Sequence, residues 1–187
     1  REANLVEKYP RVNFRVPRVA VVSTDEFDQF MEVNKLWDTA LSLNNNRDLE
    51  AVFLKGRLSR NLVQTLKEFL KGVDYPLALR SSSLLEDSQY QPLAGMYATF
   101  MLPNCHGDNK ERLSQVCEAI KRVYASTFFQ DPKTLMENIV HRHEEEKMAV
   151  IIMEMVGQAH DNYYYPTFSG LSQSYNYYPI SYMKREE

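Results

Sequence analysis

An α+β or mixed α/β domain is the fold class this sequence predicts, on three observations. Short β-branched runs, Val19-Ala20-Val21-Val22 and the apolar stretch from Met148 to Val156, read as strands. Longer stretches between them carry apolar residues at helical spacing. The two kinds of element alternate irregularly and without internal repeats, with antiparallel neighbours expected near the C-terminal end. A chain of 187 residues, 44% of them hydrophobic and 25% charged, is long enough to bury a sizeable core.

The elements follow in order. Residues 12–22 read as extended structure broken by Pro17. Ser23 and Thr24 offer N-caps to a helix whose first turn holds Asp25 and Glu26, with Phe27, Phe30, Met31, Asn34, Leu36 and Trp37 at helical spacing. Asn44 to Asp48 is polar and reads as a loop. A second amphipathic helix starts at Ser59, carries Leu62, Val63, Leu66, Phe69 and Leu70 on one face, and ends at Gly72. Pro76 to Ser81 is a short strand with Arg80 near its end, and Met96 to Leu102 is another, closed by Pro103. Arg112 to Phe129 is a helix with Leu113, Val116, Cys117, Ile120, Val123 and Tyr124 on its buried stripe. Asp131-Pro132 opens a further helix to about Glu145, because proline suits the first helical position. Lys147 to Val156 reads as a central strand buried on both faces, followed by two or three short strands in a tyrosine-rich tail.

Composition removes several function classes. There are 22 basic and 25 acidic residues, a net charge of −3, which is too balanced for an electrostatic nucleic-acid binder. No apolar run approaches the roughly 18 residues of a membrane span, and the start has no signal-like apolar region. Two cysteines, Cys105 and Cys117, cannot make a disulfide framework, which points to a reducing, cytoplasmic setting. Arg1 in place of Met, and the charged run Lys184 to Glu187, read as cuts from a longer polypeptide.

The stretch from Arg80-Ser81-Ser82-Ser83-Leu84-Leu85-Glu86-Asp87 to Ala94-Gly95-Met96-Tyr97-Ala98-Thr99 carries the chemistry. A guanidinium binds phosphate bidentately, and hydroxyls and backbone amides complete its oxygens. Gly95 lets backbone approach a ligand closely. The plainer reading is that Arg80 pairs with Glu86 or Asp87 while the serines cap a turn, and residue chemistry alone leaves both open.

This stretch resembles the signature of the ATP-binding domain of phosphoenolpyruvate synthase and pyruvate phosphate dikinase. Ala125-Ser126-Thr127-Phe128, Met148 to Val156, and Ser169-Gly170 recur in that family's order. The resemblance covers Pro76 to Pro179 well and the segment from Val12 more loosely. It implies an ATP-grasp-like domain, incomplete at both ends, with residues 1–75 as part of an N-terminal lobe and 76–187 as the part carrying the Arg-Ser-Ser motif and an adenine hinge. On that resemblance Arg80 binds the phosphates as the catalytic charge stabiliser, and Gly95 and Thr99 line the phosphate and ribose side. Met153, Glu154 and Val156 read the base, largely through backbone groups at a strand edge.

The resemblance also implies ATP with magnesium, and phosphohistidine and pyruvate-binding domains elsewhere in the same polypeptide. The activity implied is that of a phosphotransferase in which ATP phosphorylates a histidine on a mobile domain, leading to pyruvate phosphorylation. Members usually have Gln where this chain has Met153, and carry an upstream Gly-Gly-Lys segment that is missing here. Their acidic magnesium ligands are expected beyond Glu187, so no metal ligand is assigned in this chain, and by itself it is expected to be inactive. The alternative is a non-catalytic, degenerate module acting as a nucleotide sensor or protein-interaction domain.

Other candidates are weaker. His141 and His143 are two apart and do not share a helix face, so with Glu144, Glu145 and Glu146 they read as a solvated helix end, not a metal site. Ser81 to Ser83 lack a nucleophile elbow, and the cysteines lack a Cys-x-x-Cys. Seven of the 12 tyrosines fall between Tyr163 and Tyr182. They read as strand-favoured residues of a small sheet before they read as a binding surface.

Overall fold

The computed structural model describes residues 5–83, 95–136 and 146–170. The chain divides into two compact units, Arg1–Met155 and Val156–Glu187. The first has the order α1 (Leu5–Lys8), β1 (Val19–Val22), α2 (Thr24–Val33), α3 (Trp37–Ser42), α4 (Asn46–Lys55), α5 (Arg60–Lys71), β2 (Leu77–Ser83), β3 (Thr99–Leu102), α6 (Asn109–Ser126), α7 (Gln130–Met136) and β4 (Met148–Glu154). The mixed α and β content agrees with the predicted class. The four strands form one antiparallel sheet in the order β1-β4-β2-β3. Strands from both sides of residue 75 therefore share that sheet.

Local chemistry explains where the helices begin and end. Ser23 occupies the N-cap position of α2 without a side-chain cap bond. The helix stops at Val33, short of the expected Leu36 and Trp37, because Asn34 turns the chain. Its side chain donates to the Phe30 carbonyl at 2.8 Å and exchanges bonds with the Arg57 backbone, and Lys35 follows at φ 52°. The polar stretch expected as a loop instead opens α4, since the Asn45 side chain accepts from the amides of Arg47 and Asp48. Ser59 caps α5 through the Leu62 amide and also donates to Glu26, which ties α5 to α2. Asp108 caps α6 earlier than the expected start at Arg112. Of the helix expected to reach Glu145, α7 covers the described part and residues 137–145 lie outside it.

The helices pack on one face of the sheet. Leu77, Leu79, Val150 and Ile152 of that face are fully buried, as are Phe27, Phe30, Phe53, Tyr124 and Phe128. Phe27 meets Tyr124 edge to face at 5.1 Å, a favourable aromatic geometry. An alanine Cβ at Gly56 would sit 2.6 Å from the Phe30 ring, so this turn has room only for glycine. Burial along β4 alternates. The expectation of a strand buried on both faces is therefore corrected: β4 is central, but its residues alternate between buried and half-buried, and among the described residues helices cover one face only.

Lys133 of α7 is buried, and its ammonium donates to the carbonyls of Ala40, Leu41 and Leu43 at 2.6, 3.2 and 2.6 Å. It closes the C-terminal end of α3, while burial pushes its pKa down.

The second unit contains a hairpin of β5 (Gln158–His160) and β6 (Tyr163–Tyr165). Its two-residue turn has Asp161 at φ 54°, a conformation Asp tolerates. The His160 ring stacks on Tyr165 at 4.1 Å, and Tyr163 and Phe168 are exposed. The expected strands beyond Gly170 lie outside the described residues.

Candidate functional site

The uncovered face of the sheet brings predicted site residues together. In antiparallel strands, directly opposed residues share a face. One row across the sheet is Val21, Ile151, Arg80 and Thr99, and the next is Val19, Met153, Ala78 and Met101. Arg80 and Thr99 are thus opposed neighbours, and both are exposed. Met153 lies in the adjoining row, half-buried. The result is an apolar platform with the Arg80 guanidinium and the Thr99 hydroxyl at its β2–β3 side.

Arg80 does not stand at a strand end, as the sequence suggested, because β2 continues to Ser83. The extra length matters for the serines. By register Ser82 shares the Arg80 face, whereas Ser81 and Ser83 lie on the helix-covered face, with Ser81 buried. One hydroxyl of the three accompanies Arg80. Among the described residues no carboxylate pairs with Arg80; the alternative partners Glu86 and Asp87 lie outside them.

Gly95 sits in a turn at φ 80°, and open space surrounds the position of a Cβ. Its glycine is required by backbone conformation, not by packing. The segment that follows is fixed by two contacts. The Tyr97 hydroxyl hydrogen-bonds Glu146 at 3.1 Å, and the Ala98 amide donates to Ser126 Oγ at 3.1 Å. Ser126 in turn donates to the Val123 carbonyl at 2.7 Å. The Ala125-Ser126-Thr127-Phe128 motif is fully or nearly fully buried and supports the Gly95–Thr99 segment from below. Glu146 is also buried, which corrects its reading as part of a solvated helix end. His141, His143, Glu144 and Glu145 lie outside the described residues.

Glu154 faces away from Arg80. It pairs with Leu77 on the closed side, where Arg15 hydrogen-bonds one carboxylate oxygen and the Arg18 amide donates to the other at 3.1 Å. The Glu154 amide donates to the Arg18 carbonyl and the Met155 amide to that of Pro76. These two donors of the expected hinge are used inside the first unit. Val156, in the second unit, is exposed.

Elsewhere, a groove of about 190 Å³ runs between Phe100 and Leu102 of β3 and Glu118 and Arg122 of α6. Arg122 is neutralised there by Glu118 and Glu50, so the groove offers no anion site. Burial raises the pKa of the Cys117 thiol, which opposes a nucleophilic role. Among the described residues no three His, Cys, Asp or Glu side chains come together to hold a metal ion, and no magnesium ligand is assigned to them. No helix among them is long and apolar enough to cross a membrane.

Sequence reasoning did not find Val19, Val21, Ile151 and Met101 as neighbours of Arg80. Strand parity was the signal available: β1 alternates in burial at Val21 and Val22, but only the pairing register shows which face Arg80 shares.

A nucleotide-binding class fits this exposed guanidinium on an apolar platform, and comparison with known families agrees. The model of the pyruvate phosphate dikinase AMP/ATP-binding domain matches residues 1–184. The chain belongs to that family. No curated protein matches it.

Proposed function

We propose that this chain holds ATP for a phosphoenolpyruvate-synthase-like phosphotransferase, through an ATP-grasp-like arrangement. ATP phosphorylates a histidine on a mobile domain of a longer cytoplasmic polypeptide, leading to pyruvate phosphorylation. The observation that carries this reading is the pairing of exposed Arg80 with exposed Thr99 on the uncovered face. Arg80 stabilises negative charge on the transferring phosphates, which is positioning and electrostatics, not covalent chemistry. Gly95 and Thr99 line the phosphate and ribose side. Met153, Glu154 and Val156 read the base, Glu154 through its backbone carbonyl because its carboxylate and amide are held by Arg15 and Arg18. Magnesium accompanies the nucleotide, with its ligands outside this chain, and residues 1–75 serve as part of the N-terminal lobe.

Calorimetric titration of Mg-ATP into the chain, beside Arg80→Ala, tests the reading. Saturable binding that the substitution weakens by about tenfold or more supports it; equal binding by both proteins overturns the phosphate assignment.

A second reading rests on Met153. Its thioether cannot make the hydrogen bonds of an amide, and it lies on the uncovered face where a Gln side chain would meet ligand. A module that binds nucleotide as a sensor, without phosphoryl transfer, is the function that substitution favours. Phosphoryl transfer from ATP in the longer polypeptide would overturn this second reading.

A further inference from the structure

The Arg15–Glu154 pair does something the phosphate and base assignments do not use. Arg15 lies in the irregular segment before β1, 139 residues from Glu154 in sequence, and is largely exposed. Glu154 is the last residue of β4 and is buried at 8% exposure. Three hydrogen bonds join Glu154 to residues 15–18: the Arg15 guanidinium and the Arg18 amide to its carboxylate, and its own amide to the Arg18 carbonyl. On the other side, the Met155 amide is held by the Pro76 carbonyl. The end of β4 is therefore clamped from both flanks.

Geometry decides what the clamp can act on. Met153 and Glu154 are adjacent, and adjacent strand residues point to opposite faces. Holding the Glu154 side chain on the closed face sets the angle at which Met153 stands on the open one. A buried carboxylate without its guanidinium must reach water or a new donor, and the strand end would turn with it.

We infer that Arg15 is a positioning residue for base recognition: by pairing with Glu154 behind the sheet, it fixes the Met153–Met155 segment that meets the nucleobase in front. This rests on the ATP-holding reading above. Arg15 touches neither base nor phosphate and acts through Glu154 alone.

The test compares ATP with inorganic tripolyphosphate, which has the phosphates and no base. Binding of each is measured by calorimetry for the full chain, for Arg15→Gln, Glu154→Gln, the double variant and Arg15→Lys, with melting curves for all. Arg15→Gln is expected to weaken ATP by about tenfold, the lower end of what losing an orienting partner costs a bound ligand. Tripolyphosphate affinity stays unchanged. The double variant should be no weaker than Glu154→Gln, and Arg15→Lys should recover part of the loss. Equal weakening of both ligands would overturn the inference, because it would mean general loosening of the fold. So would unchanged ATP affinity. An unsubstituted chain that binds neither ligand would overturn the ATP-holding reading itself, a result distinct from both.

Discussion

The closed and open faces of the four-stranded sheet are built from the same strands, residue by alternate residue, yet they are organised by different physics. On the closed face Leu77, Leu79, Val150 and Ile152 meet a helical layer with an aromatic cluster, and their burial supplies stability. On the open face Val19, Val21 and Met101 remain exposed beside Arg80 and Thr99. Apolar side chains left uncovered next to an exposed guanidinium are a poor way to stabilise a domain and a good way to meet a ligand that is flat and apolar at one end and anionic at the other. A substitution's face should therefore decide whether it moves stability or binding.

The largest effect should come from the closed face. Leu79→Ala removes a fully buried side chain and should cost about 2–5 kcal/mol in denaturant unfolding. Arg80→Ala, the adjacent residue on the opposite face, should leave unfolding within about 0.5 kcal/mol. It should weaken ATP by about tenfold to a hundredfold, the worth of charge-assisted hydrogen bonds. Comparable loss of stability in both would erase the distinction between the faces.

Tyr124→Phe sharpens the comparison from inside the core. The Tyr124 hydroxyl is buried with no hydrogen-bond partner among the described residues, so its removal should stabilise the fold by about 1 kcal/mol. Burial, with Glu26 adding to it, raises the phenol's pKa above its usual value. The unfolded phenol therefore ionises first as pH rises past about 10. The unfolded state then binds fewer protons than the folded one, and stability falls with rising pH. Unfolding measured at pH 8 and pH 11 should show a smaller drop in Tyr124→Phe than in the unsubstituted chain. The smallest effect belongs to Val21→Thr on the open face, which should shift unfolding by no more than about 0.5 kcal/mol.

Much of this was legible in the sequence, for identifiable reasons. The apolar stripe of α6 and the start of α5 at Ser59 are local signals, and each appears as the spacing predicts. Arg80 and Gly95 stood out by their chemistry and Thr99 by the family resemblance. That Arg80 and Thr99 are opposed across β2 and β3 follows from a register no local pattern shows, and the Mg-ATP titration is what tests their role. What failed depended on distant partners. Asn34 ends α2 by binding Arg57, 23 residues away, and no local pattern announces that. The one-sided cover of β4 depends on where the helices pack, and its continuous apolar run reads equally as buried on both faces. Glu146 looked solvated in a run of glutamates, but its partner Tyr97 lies 49 residues earlier.

The pairing of β1 with β4 also bears on the order in which the protein is made. Val19 finds its partner in Met153, and among the described residues β1 has no other strand beside it. On a ribosome, β1 emerges long before β4 and must wait until almost all of the first unit has been synthesised before the two can hydrogen-bond. Closing so long a loop is entropically costly and slows assembly. During that wait β1 is an unpaired, valine-rich edge, the kind of segment that sticks to its neighbours. Any stretch of time between the synthesis of residue 22 and that of residue 154 is therefore time in which misassembly competes with folding.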